Sequence, residues 1–286
     1  MYDRVPVIRN LVAISPPTLP DAQPLEYVEA AAAAGYDAVG LRLARSPLFP
    51  FHPIVGNAPL IREIKLILAS SGLSVLDILT FYLQPTTDFD AFEPALELGA
   101  ELGARYALVA GDDAEWGRLR TNMGRFCDMA APFNISAALE FAVIRPLATL
   151  SQALRLLSEL GRKNGVICLD PLNFVRGGGS AAFLRGLEPR LFPYAQMSDG
   201  VLAPGEPDIS KLGRMSPNER RMPGDGTLPL RQILDALPVG LPLSVEIPMP
   251  GSIKLPAREW ARATAESTRR FLDEYYRDKQ GPRLLQ

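Results

Sequence analysis

Short apolar runs alternate with longer amphipathic segments along the whole chain. Eight such runs have the composition of buried parallel strands, and they lie at 10–15, 38–43, 73–81, 106–111, 136–141, 165–170, 193–199 and 242–248. The segments between them, such as PLEYVEAAAAAGY, PLIREIKLILASSGL and TLSQALRLLSELG, carry apolar residues at helical spacing. Several of these segments stop at a glycine just before the next run, which is typical of a helix C-terminus. Eight strand–helix units are the number found in a closed (β/α)₈ barrel.

The spacing of the runs supports closure into one barrel. Most units take about 30 residues, enough for a strand, a helix and two short connections. We therefore expect an α/β fold, a single (β/α)₈ TIM barrel over residues 1–286, with one long Pro/Gly/Arg-rich loop at 200–226 after the seventh strand. A doubly wound open sheet is the alternative, but no Gly-rich dinucleotide fingerprint follows the first run. The GGG at 177–179 lacks the spacing of a phosphate-binding loop.

Composition and charge narrow the functional classes. The chain has 47% apolar and 22% charged residues, a formal charge of −2 and a pI near 5.6, so nothing points to nucleic acid as a partner. No apolar run is long enough to span a membrane, and the N-terminal MYDRVPVIRN makes a poor secretory signal, so we expect a cytoplasmic protein. Cys127 and Cys168 lie far apart in apolar surroundings, which indicates core thiols rather than a disulfide.

Four oxygen-bearing side chains follow the last four predicted strands. Residues at the C-terminal ends of barrel strands point toward the mouth, and at these ends lie Glu140, Asp170, Gln196 and Glu246. Glu140 and Glu246 have apolar neighbours on both sides, and an isolated buried carboxylate needs a cation or a partner. Three carboxylates and an amide carbonyl form an oxygen-only set that favours Mg²⁺ or Mn²⁺, with Co²⁺ or Zn²⁺ as alternatives.

The order of these motifs resembles a known family. LEF (139–141), LDPLNF (169–174), AQMSDG (195–200), RMPGDGTLPL (221–230) and SVEIP (244–248) are similar to the xylose-isomerase-like TIM barrels, which include sugar-phosphate isomerases/epimerases and inosose and 3-dehydroshikimate dehydratases. The resemblance covers nearly the whole chain. It implies that one divalent metal is bound by Glu140, Asp170, Gln196 and Glu246. The chain departs from many members in having Gln196 and Asn173 where histidine is common, and Ala142 where some dehydroshikimate dehydratases carry histidine.

Metal-assisted proton transfer is the chemistry that such a site would support. A metal that holds a carbonyl and an adjacent hydroxyl acidifies the neighbouring C–H, and Glu140 or Glu246 would act as the catalytic base, because the only histidine, His52, lies elsewhere. We expect an isomerase/epimerase of a sugar, sugar phosphate or keto-polyol, with a metal-dependent dehydratase as the alternative. A barrel without metal that acts as a binding or scaffold protein is a second alternative. A metal-dependent endonuclease is disfavoured, since such barrels use several histidines and a basic groove.

The remaining candidates concern substrate binding. Arg42 ends the second strand and Arg221 precedes the PGDG turn, so either could bind a phosphate or carboxylate at the mouth. We also expect Asn173 and Asp199 to contact substrate, and His52 to cap the mouth. The expected partner is a small-molecule polyol or keto acid, with no nucleic acid and no membrane, and a homodimer formed through the barrel faces would be unsurprising.

Overall fold

The computed structural model describes residues 9–202 and 219–279. In chain order its strands are β1 (Val12–Ile14), β2 (Ala38–Arg42), β3 (Ser74–Leu83), β4 (Tyr106–Gly111), β5 (Ser136–Glu140), β6 (Gly165–Leu169), β7 (Tyr194–Met197), β8 (Asp199–Gly200), β9 (Arg220–Arg221) and β10 (Leu243–Val245). All except β8 and β9 close into a parallel barrel in the order β1, β10, β7, β6, β5, β4, β3, β2. Each barrel strand overlaps one of the eight predicted runs, so the prediction of a (β/α)₈ barrel is confirmed.

Helices lie between the strands of the barrel. Their bounds are α1 (Pro24–Ala33), α2 (Ala58–Ser71), α3 (Glu93–Glu101), α4 (Trp116–Ala130), α5 (Leu150–Leu160), α6 (Pro171–Arg176), α7 (Ala181–Leu184), α8 (Leu230–Ala236) and α9 (Ala257–Lys279). α5 shows how local sequence sets these bounds. It begins at a capping box between Thr149 and Gln152, and it ends at Gly161, whose φ of 62° lies in the left-handed region.

The apolar side chains form two layers. The larger layer lies between the strands and the helices, where Ile14, Phe81 and Phe126 are fully buried. The smaller layer fills the barrel itself. Alanines on β1, β2 and β5 leave room there for the ring of Tyr194, which stacks on Tyr106 at 4.8 Å between centroids. The barrel is therefore a packed core rather than a channel, and chemistry is confined to its mouth.

The seventh predicted run is divided in the structure. β7 ends at Met197, and after Ser198 the chain leaves the barrel to form β8, which pairs antiparallel with β9 through Asp199 opposite Arg221 and Gly200 opposite Arg220. The predicted loop 200–226 lies partly outside the described residues, but its final part carries β9. This two-strand ladder ties the end of the loop to the end of β7.

Two further predictions bear on the class of protein. Among the helices of the described ranges, none is long and apolar enough to cross a membrane. Cys127 and Cys168 are both free and buried, so the prediction of core thiols is confirmed.

Candidate active site at the mouth of the barrel

A cavity opens at the C-terminal ends of the barrel strands. Glu140, Asn173, Arg220 and Glu246 form much of its polar lining. Gln196 lies directly behind this lining, because its Nε2 donates to Glu246 Oε2 at 2.7 Å. The cavity is therefore the place where the predicted ligand set meets solvent.

The four predicted ligands come from four neighbouring strands. Glu140 is the last residue of β5, Asp170 follows β6, Gln196 is the third residue of β7 and Glu246 follows β10. These strands lie side by side in the barrel. The closed parallel topology thus brings together side chains that are more than 100 residues apart in sequence.

Arg220 joins two of these carboxylates. Its Nη2 lies 2.6 Å from Asp170 Oδ2 and 3.0 Å from Glu246 Oε1, and its Nη1 donates to Ser198 Oγ at 2.8 Å. The side chain is only 5% exposed. Burial alone would lower the pKa of Arg220, but the carboxylates of Asp170 and Glu246 outweigh it and raise that pKa. Arg220 is therefore a permanently charged, buried partner of the acidic cluster.

Local structure fixes the orientation of Asp170. It is the N-cap of α6, and its Oδ1 accepts hydrogen bonds from the backbone N–H groups of Leu172 at 2.8 Å and Asn173 at 3.3 Å. Its Oδ2 accepts from Asn173 Nδ2 at 2.9 Å as well as from Arg220. The capping contacts hold the carboxylate in one orientation at the end of β6.

The two glutamates are less well compensated. Burial and the nearby Glu246 raise the pKa of Glu140 to about 8, although Arg145 opposes the shift. Burial also raises the pKa of Glu246, with Arg220 opposing it and Asp170 adding to it. In both cases burial is the largest cause, because it removes the carboxyl group from water, and the neighbouring carboxyl groups of the site add to it.

Comparison with known proteins assigns the chain to a family. The profile of the xylose isomerase-like TIM barrels matches residues 28–274, which is most of the chain. The chain belongs to this family. No curated protein matches it by sequence.

Solved structures of xylose isomerase-like barrels and related proteins resemble the fold. The IolI protein with a bound zinc atom has a TM-score of 0.74 at 18% identity, over 92% of this chain and 98% of that chain. The probable 3-DHS dehydratase AsbF from Bacillus anthracis has a TM-score of 0.68 at 15% identity, over 89% and 97%. The D-psicose 3-epimerase with D-tagatose from Clostridium cellulolyticum H10 has a TM-score of 0.66 at 13% identity, over 91% and 99%. At these identities the likeness shows the fold alone.

The residues present in this xylose isomerase-like barrel fit a divalent metal in their chemistry. Gln196 Oε1 is buried and has no hydrogen-bond partner, which makes it an unsatisfied oxygen at the centre of the cluster. When ionised, Asp170 and Glu246 share the guanidinium of Arg220, and Arg145 in the lining of the same cavity acts on Glu140, so three negative charges face two positive ones. As the side chains are placed, no group of three or more His, Cys, Asp or Glu in the described ranges is arranged to hold a metal, and Arg220 lies between two of the predicted ligands. Metal binding would thus require Arg220 to yield one of its two carboxylate contacts.

The residues predicted to bind substrate do not all lie in the cavity that contains the acidic cluster. Asn173 lines the cavity, and its Oδ1 is buried without a partner. Asp199 instead organises the turn after β9, because its carboxylate accepts from the backbone N–H groups of Gly224 and Leu228, each at 3.0 Å. Arg221 is exposed, and its Nη1 donates to the backbone oxygen of Arg220.

Arg42 and His52 line a second, smaller cavity. The guanidinium of Arg42 lies over the ring of Phe49 at 4.7 Å and donates to the backbone oxygen of Pro50 at 3.0 Å. The Nε2 atoms of His52 and Gln23 lie 3.2 Å apart. Neither Arg42 nor His52 lines the cavity that contains the acidic cluster.

The sequence reasoning missed Arg220 and Ser198. The signal for Arg220 was the doublet Arg220–Arg221 before the PGDG turn. Consecutive residues of a strand point to opposite sides, so only one of the two can face the site, and in β9 the buried one is Arg220. Nothing in the sequence indicates which of the two faces inward.

Proposed function

We propose that this protein is a divalent-metal-dependent isomerase or epimerase that acts on a sugar, a sugar phosphate or a related keto-polyol. The observation that carries the proposal is that Asp170 and Glu246 share the guanidinium of Arg220 at the barrel mouth, with Glu140 in the lining of the same cavity and an unsatisfied amide oxygen on Gln196. Membership of the xylose isomerase-like barrels and the likeness to an epimerase and a zinc-containing barrel support it.

Glu140, Asp170, Gln196 and Glu246 would hold the metal. Their oxygen-only donor set favours Mn²⁺ or Mg²⁺ over zinc. When bound, the ion would polarise a carbonyl and an adjacent hydroxyl of the substrate and stabilise the negative charge of the enediolate. The remaining chemistry belongs to the protein side chains.

Glu140 and Glu246 would move the proton. Glu140 ends β5 and Glu246 follows β10, and these strands are separated in the barrel by β6 and β7; both glutamates line the cavity. A substrate between them could lose a proton to one carboxylate and receive a proton from the other. Return of the proton on the opposite face of the same carbon gives epimerisation, and return to the neighbouring carbon gives aldose–ketose isomerisation. Glu246 is the more firmly positioned of the two, because Gln196 donates a hydrogen bond to it and Arg220 forms an ion pair with it.

A dehydratase is the second candidate. The same enediolate could expel a β-hydroxyl, and the amide of Gln196, in the position where ketose epimerases usually carry histidine, favours the dehydratase-like branches. The resemblance in fold to a probable 3-DHS dehydratase supports keeping this alternative.

Two assays separate these activities. Incubation of the Mn²⁺-loaded protein with ketoses in deuterated water, followed by mass spectrometry, is expected to show carbon-bound deuterium without loss of water. Incubation with a 3-keto cyclitol or dehydroshikimate, followed by ultraviolet absorbance, would instead show a new conjugated chromophore if the protein is a dehydratase. Glu140→Gln and Glu246→Gln are each expected to abolish exchange, whereas Glu97→Gln, an exposed position on α3, is the matched control and keeps it.

A barrel that binds a ligand without metal makes a different prediction. Its melting temperature would be the same in EDTA and in Mn²⁺, whereas a working metal site is stabilised by mass action. Absence of any shift with Mn²⁺, Mg²⁺, Co²⁺ or Zn²⁺ would refute the proposed metal dependence.

A further inference from the structure

The cavity that contains the acidic cluster has two chemically different sides. The side formed by β5, β6, β9 and β10, with the segments that follow them, supplies Glu140, Asn173, Arg220 and Glu246. The opposite side, formed by β1 to β4 and the segments that follow them, is mainly apolar and supplies Pro17, Leu48, Phe49, Leu79 and Leu108. The barrel order places β1 to β4 together on one half of the wall.

Few polar atoms are available on the apolar side. The lining there includes two hydroxyl groups, those of Thr80 and Tyr82. The Tyr82 hydroxyl already lies 3.3 Å from Ser46 Oγ, and the guanidinium of Arg145 covers the Tyr82 ring at 4.8 Å. A ligand that reaches this wall therefore meets mostly carbon.

Large apolar side chains remain exposed at the rim. Leu48 is 50% exposed and Ile144 is 38% exposed, and both line the same cavity. Single exposed apolar residues are common on protein surfaces, but these two border one cavity next to a polar cluster, so apolar surface is exposed at its rim. Covering such apolar surface with an apolar group lowers the free energy of the system.

Within the proposed class of substrates, a sugar that is hydroxylated on every carbon would match only the polar side of this cavity. Its hydroxyl groups would press against the β1–β4 wall without hydrogen-bond partners, and each would lose its bonds to water without replacement. We infer that the substrate carries an apolar, unhydroxylated substituent of about the size of a phenyl ring next to its carbonyl and adjacent hydroxyl. This inference rests on the proposed function, which places those two oxygens at the acidic cluster. The substituent would lie against Leu48, Phe49 and Leu79.

Two small α-hydroxy ketones test the inference. Hydroxyacetone and α-hydroxyacetophenone share the carbonyl and the neighbouring hydroxyl and differ in a methyl versus a phenyl group. Their affinities for the Mn²⁺-loaded protein are measured by isothermal titration calorimetry. Burial of the ring is expected to make α-hydroxyacetophenone bind at least about tenfold more tightly.

Three variants locate the origin of this preference. Leu48→Asn and Phe49→Asn are expected to reduce it toward equal affinity. Leu66→Asn is the matched control, because Leu66 is 70% exposed on α2 and does not line the cavity. It is expected to keep the full preference.

Each remaining outcome counts against the inference. Equal affinity of the two ketones overturns it, and so does a phenyl preference that survives both Leu48→Asn and Phe49→Asn. Absence of binding by both ketones also overturns it. The proposed function is judged separately, by whether Mn²⁺ itself raises the melting temperature of the same sample.

Discussion

Asp77 gives the most direct test of the electrostatics inside the barrel. It lies on β3 and is only 2% exposed, and its Oδ2 accepts a hydrogen bond from the hydroxyl of Tyr194 at 3.0 Å. Its Oδ1 has no partner and is packed against β2, where a Cβ on Gly40 would lie 2.5 Å away. Burial raises the pKa of Asp77 to about 7, and Glu246 adds to the shift while the Tyr194 hydroxyl opposes it.

A raised carboxyl pKa makes the folded state bind its proton more tightly than the unfolded state does. The stability that this contributes is fully present below the unfolded pKa of 3.8 and is lost as the pH rises through about 7. The shift of roughly three pKa units corresponds to about 4 kcal/mol in total, at about 1.4 kcal/mol per unit. Between pH 5 and pH 8 the loss is about 2–3 kcal/mol, because part of the window lies below pH 5.

Asp77→Asn removes this titration. The asparagine keeps an acceptor for Tyr194 and nearly the same shape, so the variant is expected to fold. Urea unfolding at pH 5, 6, 7 and 8 gives the free energy of unfolding of both proteins. The wild-type protein is expected to lose about 2–3 kcal/mol more than the variant over this range. Asp21→Asn, at an exposed position, controls for the loss of one charge. If Asp77→Asn and the wild-type protein show the same pH dependence, the carboxyl does not titrate in this window and the reasoning fails.

Three further predictions concern the cluster and one helix. Gln196→Leu is expected to abolish the rise in melting temperature with Mn²⁺, because leucine offers no oxygen in place of Oε1; an unchanged Mn²⁺ affinity would contradict its role as a ligand. Arg220→Met leaves Asp170 and Glu246 without their buried cation, so urea unfolding in EDTA is expected to show a loss of about 3–5 kcal/mol, part of which Mn²⁺ restores. A loss below about 1 kcal/mol would show that these carboxyl groups do not depend on Arg220. Thr149→Ala removes the capping box of α5 and is expected to cost about 1 kcal/mol in the same assay; no measurable loss would show that the cap does not stabilise the helix.

The barrel and the placement of the acidic cluster could be predicted because both follow from local patterns. Buried parallel strands are nearly continuous apolar runs, and the residue that ends each run must lie at the mouth if the barrel closes. Glu140 and Glu246 interrupt or end such runs, and the structure places them at the cavity. Closure of the barrel is therefore enough to predict that side chains from distant parts of the chain meet at its mouth.

The other parts of the site depend on features that the periodicity of apolar residues along the chain does not encode. The chain leaves the barrel after Met197, so Asp199 lies in a separate ladder and holds a turn instead of ending a barrel strand. The choice between Arg220 and Arg221 depends on the register of that ladder, which a two-residue strand cannot reveal in sequence. His52 lies in the segment that follows β2, whose path is set by its contacts and not by any repeat, and it borders the smaller cavity.

The ladder between β8 and β9 also has a consequence for how this barrel could diversify. It joins the two ends of the segment between β8 and β9 and holds Arg220 beside the end of β7. The position of this positive charge at the mouth therefore does not depend on the length of the segment. Changing the length of such a connection costs little, about 0.6 kcal/mol of closure entropy for each doubling. Segments of different length and composition could therefore be exchanged at this point, and the range of ligands could change while the charged side chains at the mouth keep their positions.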